Sequence, residues 1–286
     1  MHQFLLGAVS PRPIAFVSTV DAAGVVNLAP YSFFNAFSSA PPIVVFSSNR
    51  RGSDGSKKDT LRNIEATMEC VINVVSHDIV RQMAIASVDF PSGESEFSKS
   101  GLTPMAADLV RAPRVRESPV QMECKVLQII PLGESGGAGN LIVCQVVLMH
   151  VAEEIMTGNR IDPEKIDLVG RMGRHYYSRA KGEVFEIVQP YNPLVVGFDG
   201  LPPSIRNSNV FTGNDLGAFA SLVTLPTVEE AQDFGKSDAQ IMTILQNSID
   251  KKVALQVYAQ QVLRNDTNNI KNIFDSYKIA ILASFF

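Results

Sequence analysis

"SPRPIAFVSTVDAAGVVNLAPYSFFNAFSSAPPIVVFSSNRR" occupies residues 10–51 and alternates apolar runs with short bursts of polar residues. Three of its runs, PIAFVSTV, VVNLAPYSF and PIVVFSS, are rich in Val, Ile and Phe and are bounded by Gly, Pro, Asn or Asp. That composition predicts β-strands. DAAG at 21–24 predicts a hairpin turn between the first two strands. Hydroxyl, amide and guanidinium groups stand at the ends of these strands, which makes the strand ends candidates for a binding site.

Strand signals continue to about residue 190. ECVINVVS, SPVQMECKVLQII and NLIVCQVVLMHVAEEI have the same composition, and few helical patterns separate them. Consecutive strands with few helices favour an antiparallel barrel or sandwich over a parallel βαβ fold. The expected fold class is therefore mainly β with helices.

Two short helices interrupt the predicted strands. One begins near Thr60 in KDTLRNIEAT, with Asp59 or Thr60 as its N-cap. The other is HDIVRQMAIAS, capped by Asp78 or Ser76. Residues 89–118 are rich in Pro, Gly and Ser, and a connection of that length is often a functional lid.

The pattern changes after residue 190, where turns and then helical periodicities replace the strands. TVEEAQDF predicts one helix, and residues 238–263 and 270–281 predict two more. Their apolar stripes are Ile241, Leu245, Ile249, Val253 and Val257 in the first of these two, and Ile270, Ile273, Phe274, Tyr277 and Ile281 in the second. We expect a barrel domain at 1–190 and a turn-rich, helical extension at 191–286. The extension, with its terminal ILASFF, either docks on the barrel or on a second subunit, or completes the core.

Composition restricts the class of protein. The chain has 286 residues, of which 45% are apolar and 19% charged, and its net charge is −4. These values fit a globular protein with one large domain, or one domain and an appendage. The negative charge argues against nucleic acid or an anionic membrane as a partner. Apolar runs fall short of the ~18 residues that span a bilayer, so a cytoplasmic location is expected.

Motifs of other enzyme classes are absent or lack their context. GESGG at 133–137 has the spacing of a nucleophile elbow, but a β-like run follows where a helix is required, so it predicts a hairpin loop. No G-x-G-x-x-G follows a strand, and neither G-x-x-x-x-G-K-[ST] nor HExxH occurs. Cys70, Cys124 and Cys144 are widely spaced, which suggests neither a disulfide framework nor a metal site. Each is expected to pack as a small apolar residue.

The basic loop after the third quoted strand has the chemistry of a phosphate site. An FMN phosphate carries roughly two negative charges and binds cations, hydroxyls and free backbone N–H groups, preferably at a helix start. The sequence SSNRRGSDGSKKDTLRN supplies all of these. The groups that it supplies are on Ser47, Ser48, Asn49, Arg50, Arg51, Lys57, Lys58 and Thr60, and Asp59 is a further candidate cofactor-binding residue of the same loop. A solvated basic loop without a ligand is the alternative.

A flavin ring requires a flat slot with hydroxyl and amide partners for its pyrimidine edge. Such groups stand at the ends of adjacent predicted strands on Ser18, Thr19, Tyr31, Ser32 and Asn35. Phe33 and Phe34 are candidates for contacts with the ring, although plain core packing is the alternative for at least one of them.

Several motifs, in this order, resemble the flavin reductase-like, FMN-binding family, which includes flavoredoxins and the reductase components of two-component monooxygenases. The quoted stretch up to FSS is similar to the start of the family's domain, and KDTLRNI, ECVINVV and GRMGRHYYSR are similar to later landmarks. The resemblance spans roughly residues 5–190. It implies a split β-barrel of Greek-key type, a homodimer, and FMN bound near the subunit interface.

The resemblance also implies roles for individual positions. Ser18–Thr19 falls on a strand-end flavin contact, and Arg12, which precedes Pro13 in SPRP, falls on an arginine near the flavin. The implied phosphate residues are Asn49, Arg50, Lys58 and Thr60. His175 in GRHYYSR is a candidate contact of the nicotinamide or the flavin, and a surface or structural histidine is the alternative. The insert RRGSDGSK in the loop and the extension after residue 190 depart from the family pattern.

The activity that the resemblance implies is hydride transfer from NAD(P)H to FMN and onward to an unknown acceptor, which needs no catalytic triad. The expected protein is therefore an NAD(P)H:flavin oxidoreductase with an oxygenase as a possible partner. One alternative is a flavoredoxin-like electron carrier reduced by a partner protein. Another is a non-catalytic FMN-binding module. A pyridoxamine-phosphate-oxidase-like enzyme would need a pyridoxamine phosphate pocket, and the sequence shows no sign of one.

Overall fold

The computed structural model describes residues 1–91, 94–182, 184–185, 187, 194–265 and 269–286. Contacts divide the chain into two compact units, Met1–Val184 and Phe185–Phe286, here called the barrel unit and the helical unit. The boundary expected at residue 190 lies outside the described residues, so the assignment of two domains stays a prediction.

The barrel unit contains the strands of the protein and four helices in its described residues. The strands are β1 (Ala15–Val20), β2 (Val26–Tyr31), β3 (Phe34–Ser39), β4 (Pro42–Ser47), β5 (Glu69–Val74), β6 (Pro104–Met105), β7 (Arg114–Val115), β8 (Val120–Pro131), β9 (Asn140–Val151), β10 (Met156–Thr157), β11 (Arg160–Ile161), β12 (Leu168–Arg171) and β13 (Tyr177–Ala180). The helices are α1 (His2–Ala8), α2 (Asp59–Thr67), α3 (Val80–Ile85) and α4 (Glu96–Ser100), and 3₁₀ turns span His77–Ile79 and Glu153–Ile155.

The main sheet has the order β2-β1-β5-β8-β9-β4-β3, and each neighbouring pair is antiparallel. Its two edge strands are joined in the chain by only Ser32 and Phe33. The N–H of Ser47 also donates to the carbonyl of Phe33 at 2.8 Å. The sheet must therefore curl until its edges meet, which gives a barrel that is open between β2 and β3. The expected fold class is confirmed.

Sequence patterns of short segments predicted most of these elements correctly. The turn at 21–24 joins β1 and β2, with the Asp21 carboxylate accepting from the N–H groups of Ala23 and Val25 at 2.8 Å. β3 was not predicted, because its sequence FNAFSS is largely exposed and lacks the Val and Ile of a buried strand. GESGG lies in the loop between β8 and β9, as the hairpin interpretation required.

The three cysteines, far apart in sequence, lie on neighbouring strands inside the barrel. Cys70 on β5 pairs with Cys124 on β8, and the Sγ atoms of Cys70 and Cys144 are 4.0 Å apart. All three side chains are fully buried among apolar neighbours. The prediction that they pack as small apolar residues is confirmed, while their proximity is a consequence of strand register.

The segment expected as a lid, residues 89–118, is anchored to the barrel by buried polar side chains of the sheet. Four side chains of the sheet bond the backbone of this segment. Ser18 Oγ donates to the Pro113 carbonyl, and Asn73 Oδ1 accepts from Val115 N. Glu69 Oε1 accepts from Arg111 N, and the Glu123 carboxylate accepts from the N–H groups of Asp108 and Leu109. Each anchor satisfies a backbone group that would otherwise be buried without a partner. The described part of the segment is therefore a fixed cover, and the lid interpretation gains no support.

We expect a pH-dependent loss of stability from Glu123. Burial raises the pKa of its carboxyl, but the N–H groups of Asp108 and Leu109 and the His150 ring outweigh burial and hold it below the usual range. Since the folded pKa lies below the unfolded one, the ion stabilises the fold above the unfolded value of ~4.3, and this is lost as the pH falls through the folded value. Glu123→Gln should lower the free energy of unfolding at pH 7 by about 1–3 kcal/mol.

The measurement is urea denaturation of the wild type and Glu123→Gln between neutral pH and about pH 2, because the loss falls below the unfolded pKa of ~4.3. The difference between the two proteins should stay constant down to about pH 4.3 and shrink below it, because only there does the wild-type carboxyl of the folded protein become neutral. Glu134→Gln, at an exposed position, is the matched control and should track the wild type. A constant difference at every pH would contradict the assignment.

The helical unit contains α5 (Pro203–Arg206), α6 (Gly213–Ala220), α7 (Val228–Ser237), α8 (Ala239–Asn247), α9 (Lys251–Asn265) and α10 (Ile270–Ala283). The expected single helix at 238–263 is wrong, because the chain leaves the helical conformation between α8 and α9. The interruption changes which face of the second helix is buried, so the buried residues of α9 are Leu255, Gln256, Ala259 and Leu263. The predicted stripe residues Ile249, Val253 and Val257 are exposed by 106%, 44% and 39%.

Helix α10 agrees better with its predicted stripe. Ile273, Tyr277 and Ile281 are buried, and the Tyr277 ring meets that of Phe219 edge-on at 5.2 Å. Ile270 is exposed, and so are Phe285 and Phe286 at the end of ILASFF, so these three side chains are not buried within this chain. Among the described residues, none of the helices combines the length and the apolar character needed to cross a membrane.

Candidate functional site

Some of the residues predicted to hold a cofactor lie together at the open seam of the barrel. Tyr31 ends β2 and Ser47 ends β4. These strands are far apart in the sheet order, yet the Tyr31 ring packs against Phe46 with centroids 5.3 Å apart. The chain then continues from β4 through residues 49–58, here called the basic loop, into α2. One rim therefore carries the ring candidates and the phosphate candidates together.

The basic loop is held by the hairpin loop between β8 and β9. Ser48 and Asn140 exchange two backbone hydrogen bonds of 3.1 Å, and the Asn140 side chain donates to the Ser48 carbonyl at 2.9 Å. Arg50 N donates to the Ala138 carbonyl at 2.9 Å, and Gly137 N to the Arg50 carbonyl at 3.2 Å. The β4–β9 ladder thus extends into the loop and fixes its backbone.

Glycines make this close approach possible, and their role was not predicted from the sequence. A Cβ on Gly139 would lie 2.6 Å from Ser47 Oγ and 3.5 Å from Asn49 Oδ1. A Cβ on Gly136 would lie 3.0 Å from the Gly52 carbonyl oxygen. The signal present in the sequence was the density of glycine in GESGGAG, which marks a backbone that another backbone approaches.

The cations of the basic loop differ in how far they are already engaged. Arg51 binds the Lys57 carbonyl at 2.9 Å and the Asp59 carboxylate at 3.3 Å. Burial raises the pKa of Asp59, but Arg62 and Arg51 outweigh burial and lower the pKa. The Asp59 carboxylate is therefore ionised, and its charge is balanced by these two arginines. Arg50 uses one Nη to bind the Gly55 carbonyl at 3.0 Å.

Lys58 makes no ion pair with any described residue, and its Nζ lies 6.0 Å from the centre of the Tyr31 ring. Lys58 is also the N-cap of α2, so the expected caps Asp59 and Thr60 are both wrong. Asp59 is bound by arginines and the Thr60 hydroxyl accepts from Asn27 Nδ2 at 2.7 Å, so neither side chain caps the helix. No described side chain bonds the first N–H groups of α2 at this cap. These groups and Lys58 are free to bind an anion.

Buried polar atoms without a partner concentrate at this rim. Five such side-chain atoms occur among the described residues, and four belong to residues assigned to the flavin from sequence. The four are Arg12 Nε, Tyr31 Oη, Ser48 Oγ and Arg50 Nε; the fifth, Tyr277 Oη, lies in the helical unit. A buried polar group without a partner is costly, and a bound ligand with complementary polar atoms removes that cost. The concentration of such atoms at one rim therefore favours a ligand site there.

The Tyr31 hydroxyl shows the electrostatic state of the rim. Burial raises the pKa of Tyr31, and the neighbouring hydroxyls of Thr60 and Ser48 oppose this without reversing it. Neither hydroxyl makes a well-formed hydrogen bond with Tyr31. The phenol is therefore neutral at physiological pH and keeps its proton available for an acceptor.

Other predicted site residues are used inside the protein. Ser18 is fully buried and bonded to Pro113, and Thr19 Oγ1 accepts from Asn63 Nδ2 at 3.1 Å. Ser47 Oγ donates to Asn49 Oδ1 at 3.2 Å. Asn35 is exposed and its side chain bonds the next N–H in the chain. The remaining positions are exposed at Pro13 and partly exposed at Ser32, Phe33 and Phe34.

Arg12 is nearly buried, 5% exposed, and most of its guanidinium is engaged. It donates to the carbonyls of Leu6 and Met172 at 2.7 and 3.1 Å, while its Cζ lies 5.8 Å from the Phe33 ring centre. The backbone of Arg12 forms an isolated antiparallel bridge with the backbone of Arg171 in β12. His175 follows in the turn between β12 and β13, where its exposed side chain lines a cavity together with Tyr177.

The fold and the rim define a split-barrel protein with a candidate flavin site. The comparison with known families agrees, because residues 7–163 match the family described as flavin reductase like domain. The chain belongs to that family. The match ends before the helical unit begins.

Individual relatives support the same assignment. An uncharacterized protein from Halalkalibacterium halodurans is 39% identical over 191 residues, which is 66% of this chain and 90% of the relative. Nitrilotriacetate monooxygenase component B from Bacillus cereus is 36% identical with a TM-score of 0.61, covering 65% of this chain and 92% of that one. The 2-nitrobenzoate 2-nitroreductase of Pseudomonas fluorescens is 29% identical with a TM-score of 0.59, covering 67% and 92%.

Proposed function

We propose that this protein binds FMN at the barrel rim and acts as an NAD(P)H-dependent flavin reductase. The observation that supports this most directly is the set of unpartnered atoms on Arg12, Tyr31, Ser48 and Arg50. A flavin has carbonyl, imide and phosphate groups that would satisfy such atoms, so the residues present fit the cofactor.

Within this proposal the residues divide by task. Arg50, Lys58 and the first N–H groups of α2 hold the phosphate, because they combine positive charge with free donors. Tyr31 and Ser48 donate to the polar edge of the ring, and Phe33 with Arg12 borders it. Bound FMN would supply the hydride-accepting chemistry, and the chain contributes binding, orientation and exclusion of water.

The hydride donor and the acceptor belong to the same proposal. NAD(P)H is the proposed co-substrate, with His175 as a candidate contact. A relative named as component B of a monooxygenase supports an oxygenase as the partner that receives reduced flavin. The flavoredoxin-like carrier and the non-catalytic module remain the alternatives, and they differ in their response to NAD(P)H.

Two measurements test the proposal. The purified protein, or the protein titrated with FMN, should show the absorption bands of bound oxidised flavin. Stopped-flow mixing with NADH and with NADPH should bleach those bands. Bound FMN that bleaches only with a partner protein would favour the electron carrier, and bound FMN that no reductant bleaches would favour the module. Absence of flavin binding would refute all three.

We also propose a homodimer with the flavin near the interface. The support is apolar surface on the barrel unit: α1 contains no buried residue, and Phe4 and Phe37 are exposed by 81% and 67%. Sedimentation at micromolar concentration should report a dimer. A monomer that still binds FMN with full affinity would count against an interfacial site.

Gly139→Ala should weaken FMN about tenfold, which corresponds to ~1.4 kcal/mol. The new Cβ collides with Ser47 Oγ and displaces the strand end that presents Ser48. Fluorescence quenching of FMN on titration with protein measures the affinity. Gly52→Ala lies in the basic loop, where a Cβ meets nothing within 4 Å, and should bind FMN like the wild type. Equal affinities for the two variants would show that the glycine loop does not position the site.

A further inference from the structure

A cavity of about 440 Å³ lies against the β12–β13 hairpin, apart from the basic loop. The described residues that line it include Arg81, Arg179, His77 and His175, and none of them is Asp or Glu. The lining thus carries guanidinium and imidazole groups, although the net charge of the chain is −4. The hairpin itself adds to this bias, since residues 168–182 contain four Lys or Arg and no acid.

The two arginines of the cavity differ in their availability. Arg179 is bound through Nε and Nη2 to the Asp167 carboxylate at 2.7 and 2.6 Å, so its charge is largely compensated. Arg81, on α3, makes no ion pair with any described residue, and its side chain is exposed. The structure therefore presents to the cavity one guanidinium without an ion-pair partner among the described residues. His175 shares this lining, whereas the His77 ring lies within 4.8 Å of the Asp78 and Asp167 carboxylates.

Apart from Ser178, the remaining lining is apolar and aromatic. Val80, Ala84 and Val169 lie beside Arg81 in the wall of the cavity. Tyr177 forms part of the same lining, and its ring is stacked under the Arg171 guanidinium at 4.6 Å and bonded to it through the hydroxyl. This contact immobilises the aromatic ring. A planar apolar group fits such a surface, because rings stack on aromatic side chains at little entropic cost.

Together these features define the chemistry of the ligand. We propose that the cavity binds a small molecule with a phosphate or carboxylate carried on a flat apolar body, with Arg81 as the principal anion contact. Arginine matches the bidentate geometry of both anions. Ser178 Oγ adds a hydroxyl, since its contact with the Gly170 carbonyl is long, at 3.5 Å. Two sources share this chemistry: a nucleotide with its phosphate and base, and an aromatic acid.

A second cavity in the same unit has both basic and acidic residues in its lining, so it serves as a comparison for the first. It has a similar volume, about 440 Å³, and is lined by Arg114 and Arg116. Asp78, Glu117 and Glu154 also line it, so its cations are offset. Arg116 is exposed and makes no ion pair with a described residue, which makes it a matched control for Arg81.

The test is isothermal titration calorimetry of the full-length protein with four probes. AMP and benzoate represent the two sources, and adenosine and benzamide are their neutral counterparts. At least one anion should bind with a dissociation constant of about 1 mM or tighter, and its neutral counterpart about tenfold more weakly or not at all. Binding of AMP alone identifies a nucleotide site, binding of benzoate alone an aromatic-acid site, and binding of both supports the shared chemistry.

Arg81→Gln should weaken the bound anion by about tenfold or more, while Arg116→Gln should bind it like the wild type. The proposal is overturned if neither anion binds up to about 10 mM, if neutral probes bind equally well, or if the two variants behave alike. Because Arg81 is exposed, its replacement should leave the fold intact, and equal melting temperatures would verify this. This proposal rests in part on the proposed function, because His175 lines the cavity and is also the candidate NAD(P)H contact. Absence of FMN binding or of NAD(P)H oxidation in the wild type would contradict the proposed function, whereas the comparison of Arg81→Gln with Arg116→Gln decides this proposal.

Discussion

FMN affinity should fall by about 10²- to 10⁴-fold when Arg50 and Lys58 are both replaced by Gln, while riboflavin affinity changes by no more than a few-fold. Each charge-assisted bond to the phosphate is worth about 1.5–3 kcal/mol, and ~1.4 kcal/mol is a factor of ten. Riboflavin has the same ring without the phosphate, so the ratio of the two affinities isolates the phosphate contacts. Flavin fluorescence on titration measures both.

Lys57→Gln is the matched control for this experiment. Lys57 lies beside Lys58 in the chain, but its Nζ is paired with Glu65 at 2.6 Å. Its replacement should leave FMN affinity within about a factor of two, as expected for a solvent-exposed ion pair. An equal loss of affinity for FMN and for riboflavin in the double variant would contradict the assignment of Arg50 and Lys58 to the phosphate. A loss as large in Lys57→Gln would show that general charge, and not a built site, attracts the cofactor.

The second large effect concerns the helical unit. Phe219→Ala should lower the free energy of unfolding of this unit by about 3–5 kcal/mol, because Phe219 is fully buried between Phe211 and Tyr277. For a unit of this size that corresponds to a drop in melting temperature of roughly 12–40 °C. Differential scanning calorimetry of the full chain measures it.

Val257→Ala is the control for Phe219→Ala, because Val257 is 39% exposed on α9 and its truncation should cost less than about 0.5 kcal/mol. FMN affinity should survive in Phe219→Ala below the transition, since the proposed flavin contacts all precede residue 185. Loss of FMN binding in a variant whose melting temperature is unchanged would mean that the helical unit contributes to the site.

Much of the barrel was predictable because its signals are local. Runs of Val, Ile and Phe bounded by turn residues identified β1, β2, β4, β5, β8 and β9. β3 was missed because an exposed edge strand carries no such composition. On α9 the expected stripe failed at Val253 and Val257, because a break of a few residues between two helices resets the phase of burial.

The candidate site was predictable as a region but not atom by atom. Tyr31, Ser48 and Arg50 have polar atoms free for a ligand, as expected of site residues, whereas Ser18 and Thr19 use their hydroxyls inside the protein. Sequence shows that a strand ends in hydroxyls, but it does not show which other segment will reach them. The Pro113 carbonyl and the Asn63 amide arrive from elsewhere in the chain.

The sequence alone determined the fold class, the family, and the composition of the basic loop, because strand propensity, turn chemistry and ordered motifs are properties of short segments. Tertiary structure decided which cations are free: Arg51 is occupied by Asp59, and Lys58 is not. It also decided that Gly139 must lack a side chain and that Arg81 faces a cavity without acids. These facts depend on contacts between residues remote in sequence, and only the folded barrel sets those distances.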